Sequence, residues 1–259
     1  MNQIMTTQGA KDYIYNYLGL IETKLGRYDR AVAHFDTALS LDPRAADYYV
    51  HRGLARMEQK QPALAASDFR KALEIDPDHA LAEHNLGVLA RELGQPEDSE
   101  KYLTAAIERN PSLPYPYQER AYYRLERGNL DGAVADYTKA LAIVKNDPEL
   151  WLSRGIVYEK MQNLPAAYDD YSKAIAVNER FERAWMSRGN VLSKQGKAAE
   201  AEDDYTVAIT YRPQYAEAYY NRAIVRQRLG KLPEACTDLT MAARLGMAVP
   251  AAMTSKFCR

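Results

Sequence analysis

A sequence pattern recurs every 34 residues along most of this chain. The segment LWLSRGIVYEKM, which begins at Leu150, aligns 34 residues later with AWMSRGNVLSKQ, which begins at Ala184. Seven units fit this period without insertion, at residues 12–45, 46–79, 80–113, 114–147, 148–181, 182–215 and 216–249. A unit of this size cannot bury an apolar face alone. The array therefore predicts units that stack on their neighbours and stabilise one another.

Each unit has the pattern of two antiparallel helices. With repeat positions counted from the first residue of a unit, the fourth is aromatic in six units and the eighth is Gly or Ala in all seven. A glycine often closes the first helix and a proline often opens the second, as those positions prefer. In the second helix, small residues flank a bulky one, such as Ala167 and Ala174 around Tyr171. This alternation indicates two helices that pack closely within each unit.

These residues resemble the tetratricopeptide repeat pattern over residues 12–249. The resemblance implies an all-α fold, an α–α superhelix of seven helix-turn-helix repeats whose first helices line a concave groove. Residues 1–11 are then an N-terminal extension, and residues 250–259 a C-terminal capping helix or tail. The spacing of Val249, Met253 and Phe257 by four favours a short helix that covers the seventh unit. A tail that docks a partner is the alternative.

Charge and composition exclude several classes of function. Lys plus Arg is 34 and Asp plus Glu is 35, a net charge of -1 that argues against nucleic-acid binding. The first residues contain no long apolar run, so we expect no membrane span and a cytoplasmic location, although an exported form with a removed signal peptide stays open. The two cysteines, Cys236 and Cys258, are too few for a disulfide framework, and we expect Cys258 to be a near-terminal thiol.

Arginine occupies the seventh position of five units, and each of these units has aspartate at its twenty-third position. The two other units have leucine at the seventh position and no aspartate at the twenty-third. A guanidinium can hold a carboxylate with two hydrogen bonds, so we predict ion pairs between the two helices of one unit. A row of ligand-binding arginines is the alternative. The predicted pairs are Arg52 with Asp68, Arg120 with Asp136, Arg154 with Asp170, Arg188 with Asp204, and Arg222 with Asp238.

If the family geometry holds, the second, fifth, ninth and twelfth positions of the first helices line the groove. They form an apolar stripe interrupted by polar residues, which suits a peptide or a partner helix. Coverage by the adjacent unit is the alternative. The predicted groove residues are Val50, Leu54, Met57, His84, Val88, Gln118, Tyr122, Leu125, Leu152, Ile156, Met186 and Asn190.

No cluster of nucleophile, base and orienting group is visible in the sequence, and no glycine-rich phosphate loop. His51 and His84 could approach each other on neighbouring first helices, but a zinc site would need two more ligands. We therefore expect no catalysis, no metal and no cofactor. The leading hypothesis is an adaptor that binds a peptide or helical segment of a partner protein in its groove. The alternative is a structural scaffold that assembles with copies of itself, a homo-oligomer.

Overall fold

The protein is all-helical, as the repeat predicts. The computed structural model describes residues 2–258, with side chains described from Lys11 onward, and this part of the chain forms fifteen helices and no strand. The helices are α1 (Asn2–Lys24), α2 (Tyr28–Leu41), α3 (Ala46–Glu58), α4 (Pro62–Ile75), α5 (Ala80–Glu92), α6 (Pro96–Arg109), α7 (Pro114–Glu126), α8 (Leu130–Ile143), α9 (Pro148–Lys160), α10 (Leu164–Val177), α11 (Glu182–Lys194), α12 (Ala198–Tyr211), α13 (Ala216–Arg228), α14 (Leu232–Arg244) and α15 (Ala251–Phe257). None of the described helices is both long and apolar enough to span a bilayer.

The turn inside each unit depends on one residue in the left-handed backbone region. Gly196 has a φ of 80° there, after α11, and glycine adopts this conformation without a steric penalty. In two units the same place is taken by Lys60 and Gln162, with φ of 61° and 59°. A left-handed conformation costs such residues about 1–2 kcal/mol. The packing of the two helices therefore holds the turn even where the sequence lacks glycine.

Close packing within a unit comes from a small residue that faces a bulky ring. A Cβ placed on Gly155 of α9 would lie 2.5 Å from Cε1 of Tyr171 on α10, so a larger residue would require this ring to shift. The same relation joins Gly53 with Phe69, again at 2.5 Å. Tyr171 and Phe69 are fully buried. The predicted alternation of small and bulky residues is therefore confirmed as the core of the helix pair.

The chain divides into two compact bodies, residues 1–123 and residues 124–259. In the N-terminal body, a buried cluster includes Val50, Phe69 and Leu86 from successive helix pairs. In the C-terminal body, a similar cluster includes Tyr171 of α10 and Val191 of α11. Each cluster joins one helix pair to the next, so stacking of neighbours builds the core of each body.

The C-terminal helix α15 covers the last helix pair. Its Phe257 is only 4% exposed and shares a buried cluster with Ala223 and Leu239, which confirms the predicted capping helix. Cys258 follows directly and forms a disulfide with Cys236 of α14, across a Cα–Cα distance of 4.9 Å. The prediction that Cys258 is a free thiol is therefore wrong. The two residues lie far apart in the sequence, and only the docking of α15 onto α14 brings them together.

Candidate functional site

The first helices carry the residues that the sequence predicts as a binding groove, and three of these are core residues instead. Val50, Leu152 and Met186 are exposed by only 3%, 1% and 5%. Each occupies the fifth position and packs into a cluster between neighbouring helix pairs, as Val50 does with Phe69 and Leu86. These three side chains therefore stabilise the array and present almost no surface to a ligand.

In the N-terminal body, the predicted groove residues with most exposed surface are Leu54 and Tyr122, at 38% and 42%. The Arg91 guanidinium lies 5.1 Å from the centre of the Tyr122 ring and 3.4 Å from a carboxylate oxygen of Glu119. This arrangement places an exposed aromatic ring beside a paired arginine. The other predicted groove residues of this body are half-buried, namely Met57, His84, Val88 and Gln118.

Among these residues, His84 has a shifted pKa. Burial lowers the pKa of its imidazole from the ordinary 6.5 to about 4, so the ring is neutral at neutral pH. Its ring centre lies 6.3 Å from that of Tyr115, and its buried Nδ1 has no hydrogen-bond partner among the described residues. His51 instead contacts Oδ1 of Asn16 through Nδ1, at 2.9 Å. Among residues 11–258, no group of three or more potential ligand side chains is placed to hold a metal ion.

The C-terminal body has a cavity of about 290 Å³, lined by residues of its first helices α9, α11 and α13 and by Tyr205 of α12. Asn190 is the predicted groove residue that lines it, at the centre of a small hydrogen-bond network. Its Oδ1 accepts from the hydroxyl of Tyr205 and from Nδ2 of Asn221, both at 2.9 Å. The cavity is lined by Glu159, Asn190, Ser193, Lys194, Tyr205, Asn221, Ile224 and Arg228.

This network fixes the orientation of the Asn190 amide. Because Oδ1 accepts both bonds, the amide nitrogen is the group of Asn190 that remains to donate, and it has no partner among the described residues. The half-buried Ile224 supplies an apolar wall close to this donor. A fixed donor beside an apolar wall can hold a peptide carbonyl and its neighbouring side chain.

Two cations border the cavity. Nζ of Lys194 lies 2.6 Å from Oε1 of Glu159, and Nη1 of Arg228 donates to the backbone oxygen and hydroxyl of Ser193, both at 3.2 Å. Glu159 also accepts from the hydroxyl of Tyr171, at 2.9 Å. With two cations and one carboxylate among the lining residues, the rim favours a ligand that carries negative charge.

The sequence reasoning missed the rim cations. Lys194 and Arg228 both occupy the thirteenth position of a first helix, where Lys160 stands in the unit before them. The recurrence of a basic residue every 34 residues is the sequence signal that could have identified these two cations. Of the other groove residues predicted in this body, Ile156 packs partly buried against the core and Leu125 is half-buried, so neither lines the cavity.

The predicted ion pairs are present within both bodies. Nε and Nη2 of Arg154 donate to the two carboxylate oxygens of Asp170, at 2.7 and 2.9 Å. Arg52, Arg188 and Arg222 hold Asp68, Asp204 and Asp238 in the same two-pronged way. The Arg120 and Asp136 partners lie in different bodies, so their pairing stays a prediction.

The third nitrogen of each arginine makes a contact that the sequence did not predict. Nη1 of Arg154 donates to the hydroxyl of Thr138, on the second helix of the preceding pair, at 2.9 Å. The Nη1 atoms of Arg120, Arg188 and Arg222 donate in the same way to Thr104, Ser172 and Thr206. Arg154 also lies 5.0 Å from the Trp151 ring. These arginines are therefore engaged in joining helices and do not form a ligand-binding row.

Family models match much of the chain. Two models described as "Tetratricopeptide repeat" match residues 18–80 and 152–209 in one case and residues 56–118 in the other. A model described as "TPR repeat" matches residues 121–162 and 189–230. No curated protein matches the chain at a significant level of sequence similarity.

Solved structures with the same fold include three that cover most of the chain. The C-terminal part of a TPR repeat-containing protein from Cytophaga hutchinsonii has a TM-score of 0.74 at 15% identity, and covers 92% of this chain and 98% of that one. Pseudomonas aeruginosa PilF has a TM-score of 0.70 at 20% identity, with coverages of 80% and 94%. YrrB, described as a TPR protein with an unusual peptide-binding site, has a TM-score of 0.63 at 21% identity, with coverages of 74% and 98%. At these identities the likeness shows the fold alone.

Proposed function

Because the chain belongs to the tetratricopeptide repeat family, we propose that it is a non-catalytic scaffold for protein–protein interaction that binds a peptide segment of a partner on its first helices. The fold suggests the interaction role, since its members expose rows of parallel first helices. The observation that carries the more specific proposal is the cavity around Asn190 in the C-terminal body. It combines an oriented amide donor, an apolar wall and a cationic rim.

The chemistry of this cavity describes its ligand. An extended peptide can place a backbone carbonyl against the amide nitrogen of Asn190 and an apolar side chain against Ile224. An acidic side chain or a terminal carboxylate can then lie beside Lys194 and Arg228. We therefore propose a peptide with an acidic group next to an apolar residue. The exposed Leu54 and Tyr122 of the N-terminal body are a separate candidate surface for apolar contacts.

A displayed library of random peptides, selected on the full chain, tests this proposal. We expect the parent to enrich peptides that pair an acidic with an apolar residue, and Asn190→Ala and Lys194→Glu to lose that enrichment. Matched controls are Asn146→Ala, in the exposed turn before α9, and Lys139→Glu, on the exposed face of α8. Both controls should retain binding. Failure to enrich any peptide, or equal enrichment by all five proteins, would contradict the proposal.

The disulfide bears on where the scaffold works. Structural disulfides persist in oxidising compartments and are rare in the cytoplasm. The Cys236–Cys258 bond therefore favours an oxidising compartment over the cytoplasmic location that the sequence suggested. Alkylation of thiols in intact cells before lysis tests this. A chain with both cysteines protected from alkylation supports the oxidising location, and a doubly alkylated chain supports the cytoplasm.

A further inference from the structure

Helix α1 and the residue that follows it expose an apolar stripe along one face. Ile14, Leu18, Ile21 and Leu25 are exposed by 52%, 37%, 47% and 56%. Large apolar side chains in contiguous exposed groups are uncommon on a monomeric protein and mark interaction surfaces. We call these four residues the α1 seam.

The later units show why this face is apolar. Ile21 occupies the tenth repeat position, and the residues at that position in the units that follow include Ala55, Leu89, Val157, Val191 and Val225, all buried to 3% exposure or less. In those units the preceding helix pair covers the position. No helix pair precedes α1 among the described residues. Ile14, Leu18 and Ile21 therefore lie on the stacking face, which is uncovered among the described residues, and Leu25 extends it at a position that is also exposed in later units, as at Leu93.

The spacing of the seam indicates what covers it. The steps between its residues are four, three and four, which is the heptad spacing of helices that pack in a coiled coil. A heptad seam of apolar residues is complementary to a copy of itself. We therefore propose that the α1 seam binds the α1 seam of a second copy of this chain and forms a symmetric dimer. This goes beyond the peptide binding proposed above and uses a different surface.

Charge selects the orientation of the two helices. No charged side chain lies on the seam itself, but Lys11 occupies the next seam position toward the N-terminus, three residues before Ile14. Parallel helices would bring Lys11 against the same residue of the partner, which is unfavourable. In the antiparallel arrangement, Leu18 of one copy faces Ile21 of the other. The dimer is therefore antiparallel.

The other end of the array is closed, and this favours a dimer over a filament. Phe257 of α15 occupies the apolar flank of the last helix pair, and the Cys236–Cys258 disulfide retains α15 there. A head-to-tail contact would need that flank for the α1 seam of the next copy. Contact between two identical seams closes after two copies.

The seam and the two tyrosines beside it together expose enough area for a dimer. Tyr13 and Tyr17 flank the seam and are 55% and 52% exposed. Together with the seam they expose the equivalent of about three full side chains, on the order of 600 Å² in each copy. Two copies would then bury roughly 1,200 Å², at the lower end of the range for specific interfaces. The proposed dimer is accordingly one with a measurable dissociation constant.

Sedimentation equilibrium of the full chain, over a concentration series, tests the dimer. The parent should reach the mass of two chains. The variant Leu18→Glu with Ile21→Glu should weaken association at least about tenfold, since it places carboxylates against each other in either orientation. The matched control Leu64→Glu, on the exposed surface of α4 at 48% exposure, should associate like the parent.

A second double variant separates loss of the interface from loss of the fold and reports orientation. Leu18→Glu with Ile21→Lys alters the same two positions, but antiparallel pairing now places each Glu against a Lys. It should associate at least about tenfold more tightly than the double-Glu variant, with an equal melting temperature. A monomeric parent, or a double-Glu variant that associates like the parent, would overturn the proposal. Equal weakening in both double variants would overturn the antiparallel arrangement.

Discussion

Arg154 holds Asp170 through two hydrogen bonds while its third nitrogen reaches Thr138 of the preceding helix pair. The carboxylate is nearly inaccessible, at 2% side-chain exposure, whereas the guanidinium is 12% exposed. One residue thus joins three helices, α8, α9 and α10. Arg154 therefore has a structural role on its packed helix.

Asp170→Ala should destabilise the C-terminal body strongly. The change leaves a half-buried guanidinium without its carboxylate, and such losses cost about 3–5 kcal/mol when burial is complete. The double variant Arg154→Leu with Asp170→Tyr copies the third unit, which has Leu86 and Tyr102, and should be close to neutral. Urea unfolding measures both. Asp169→Ala, at the exposed neighbouring position, is the control. A single variant as stable as the parent would show that the pair contributes nothing.

Gly155→Ala should also destabilise, by about 1 kcal/mol or more. The new Cβ meets the Tyr171 ring at 2.5 Å, and overpacking of this kind costs about 1–3 kcal/mol, partly offset by the better helix propensity of Ala. Adding Tyr171→Leu copies the seventh unit, which pairs Ala223 with Leu239. Thermal unfolding should then show a double variant that loses less stability than the sum of the two single changes. A stabilising Gly155→Ala would refute this packing account.

The stability of the N-terminal body should fall in mild acid because of His84. Its pKa is about 4 in the folded chain and close to 6.5 in the unfolded one, so the unfolded state takes up the proton first. The free energy of unfolding is therefore unaffected by this proton above pH 6.5. It falls by up to about 3 kcal/mol as the pH falls toward 4. His84→Met places the residue of the sixth unit at this position. The free energy of unfolding, measured between these pH values, should depend less on pH for the variant than for the parent. An equal pH dependence would contradict burial as the cause of the pKa shift.

Reduction of the disulfide should loosen α15. The bond joins residues 22 apart in the sequence, and closing a loop of this size stabilises by about 3 kcal/mol in the chain-entropy treatment. Reductant should therefore lower the denaturant midpoint of the parent. Cys236→Ala and Cys258→Ala should each unfold at the lower midpoint with or without reductant. A parent insensitive to reductant, together with two reactive thiols, would show that the bond does not form in solution.

The sequence predicted the fold well because the constraint is repeated. Three features recur in several units: the 34-residue period, small residues opposite bulky ones, and an aspartate that accompanies each arginine. The helix pairs and the ion pairs could therefore be inferred together. Both partners of each ion pair lie in the same unit, within reach of a local argument. The bond from Arg154 to Thr138 lies between units and depends on how they stack, which a period alone does not specify.

The candidate site was less predictable because it also depends on how neighbouring units stack. Whether a fifth-position residue such as Leu152 lines a surface or enters the core depends on how closely the next pair approaches. The cavity likewise depends on side chains from three first helices, with Lys194 and Glu159 in contact across neighbouring units. The disulfide required the docked position of α15, which no pattern of two cysteines encodes.

The arginine bonds between adjacent helix pairs also bear on how the array opens. When one pair unfolds, the guanidinium or hydroxyl of its neighbour loses a partner, so opening at one place weakens the next and amide protons along several pairs should exchange together. In the third unit, Leu86 stands where the arginine would be, and no such bond links it to the pair before. Hydrogen exchange in the N-terminal body should therefore change rate between α4 and α5, where the apolar packing of Phe69 and Leu86 couples the two pairs without an arginine bond.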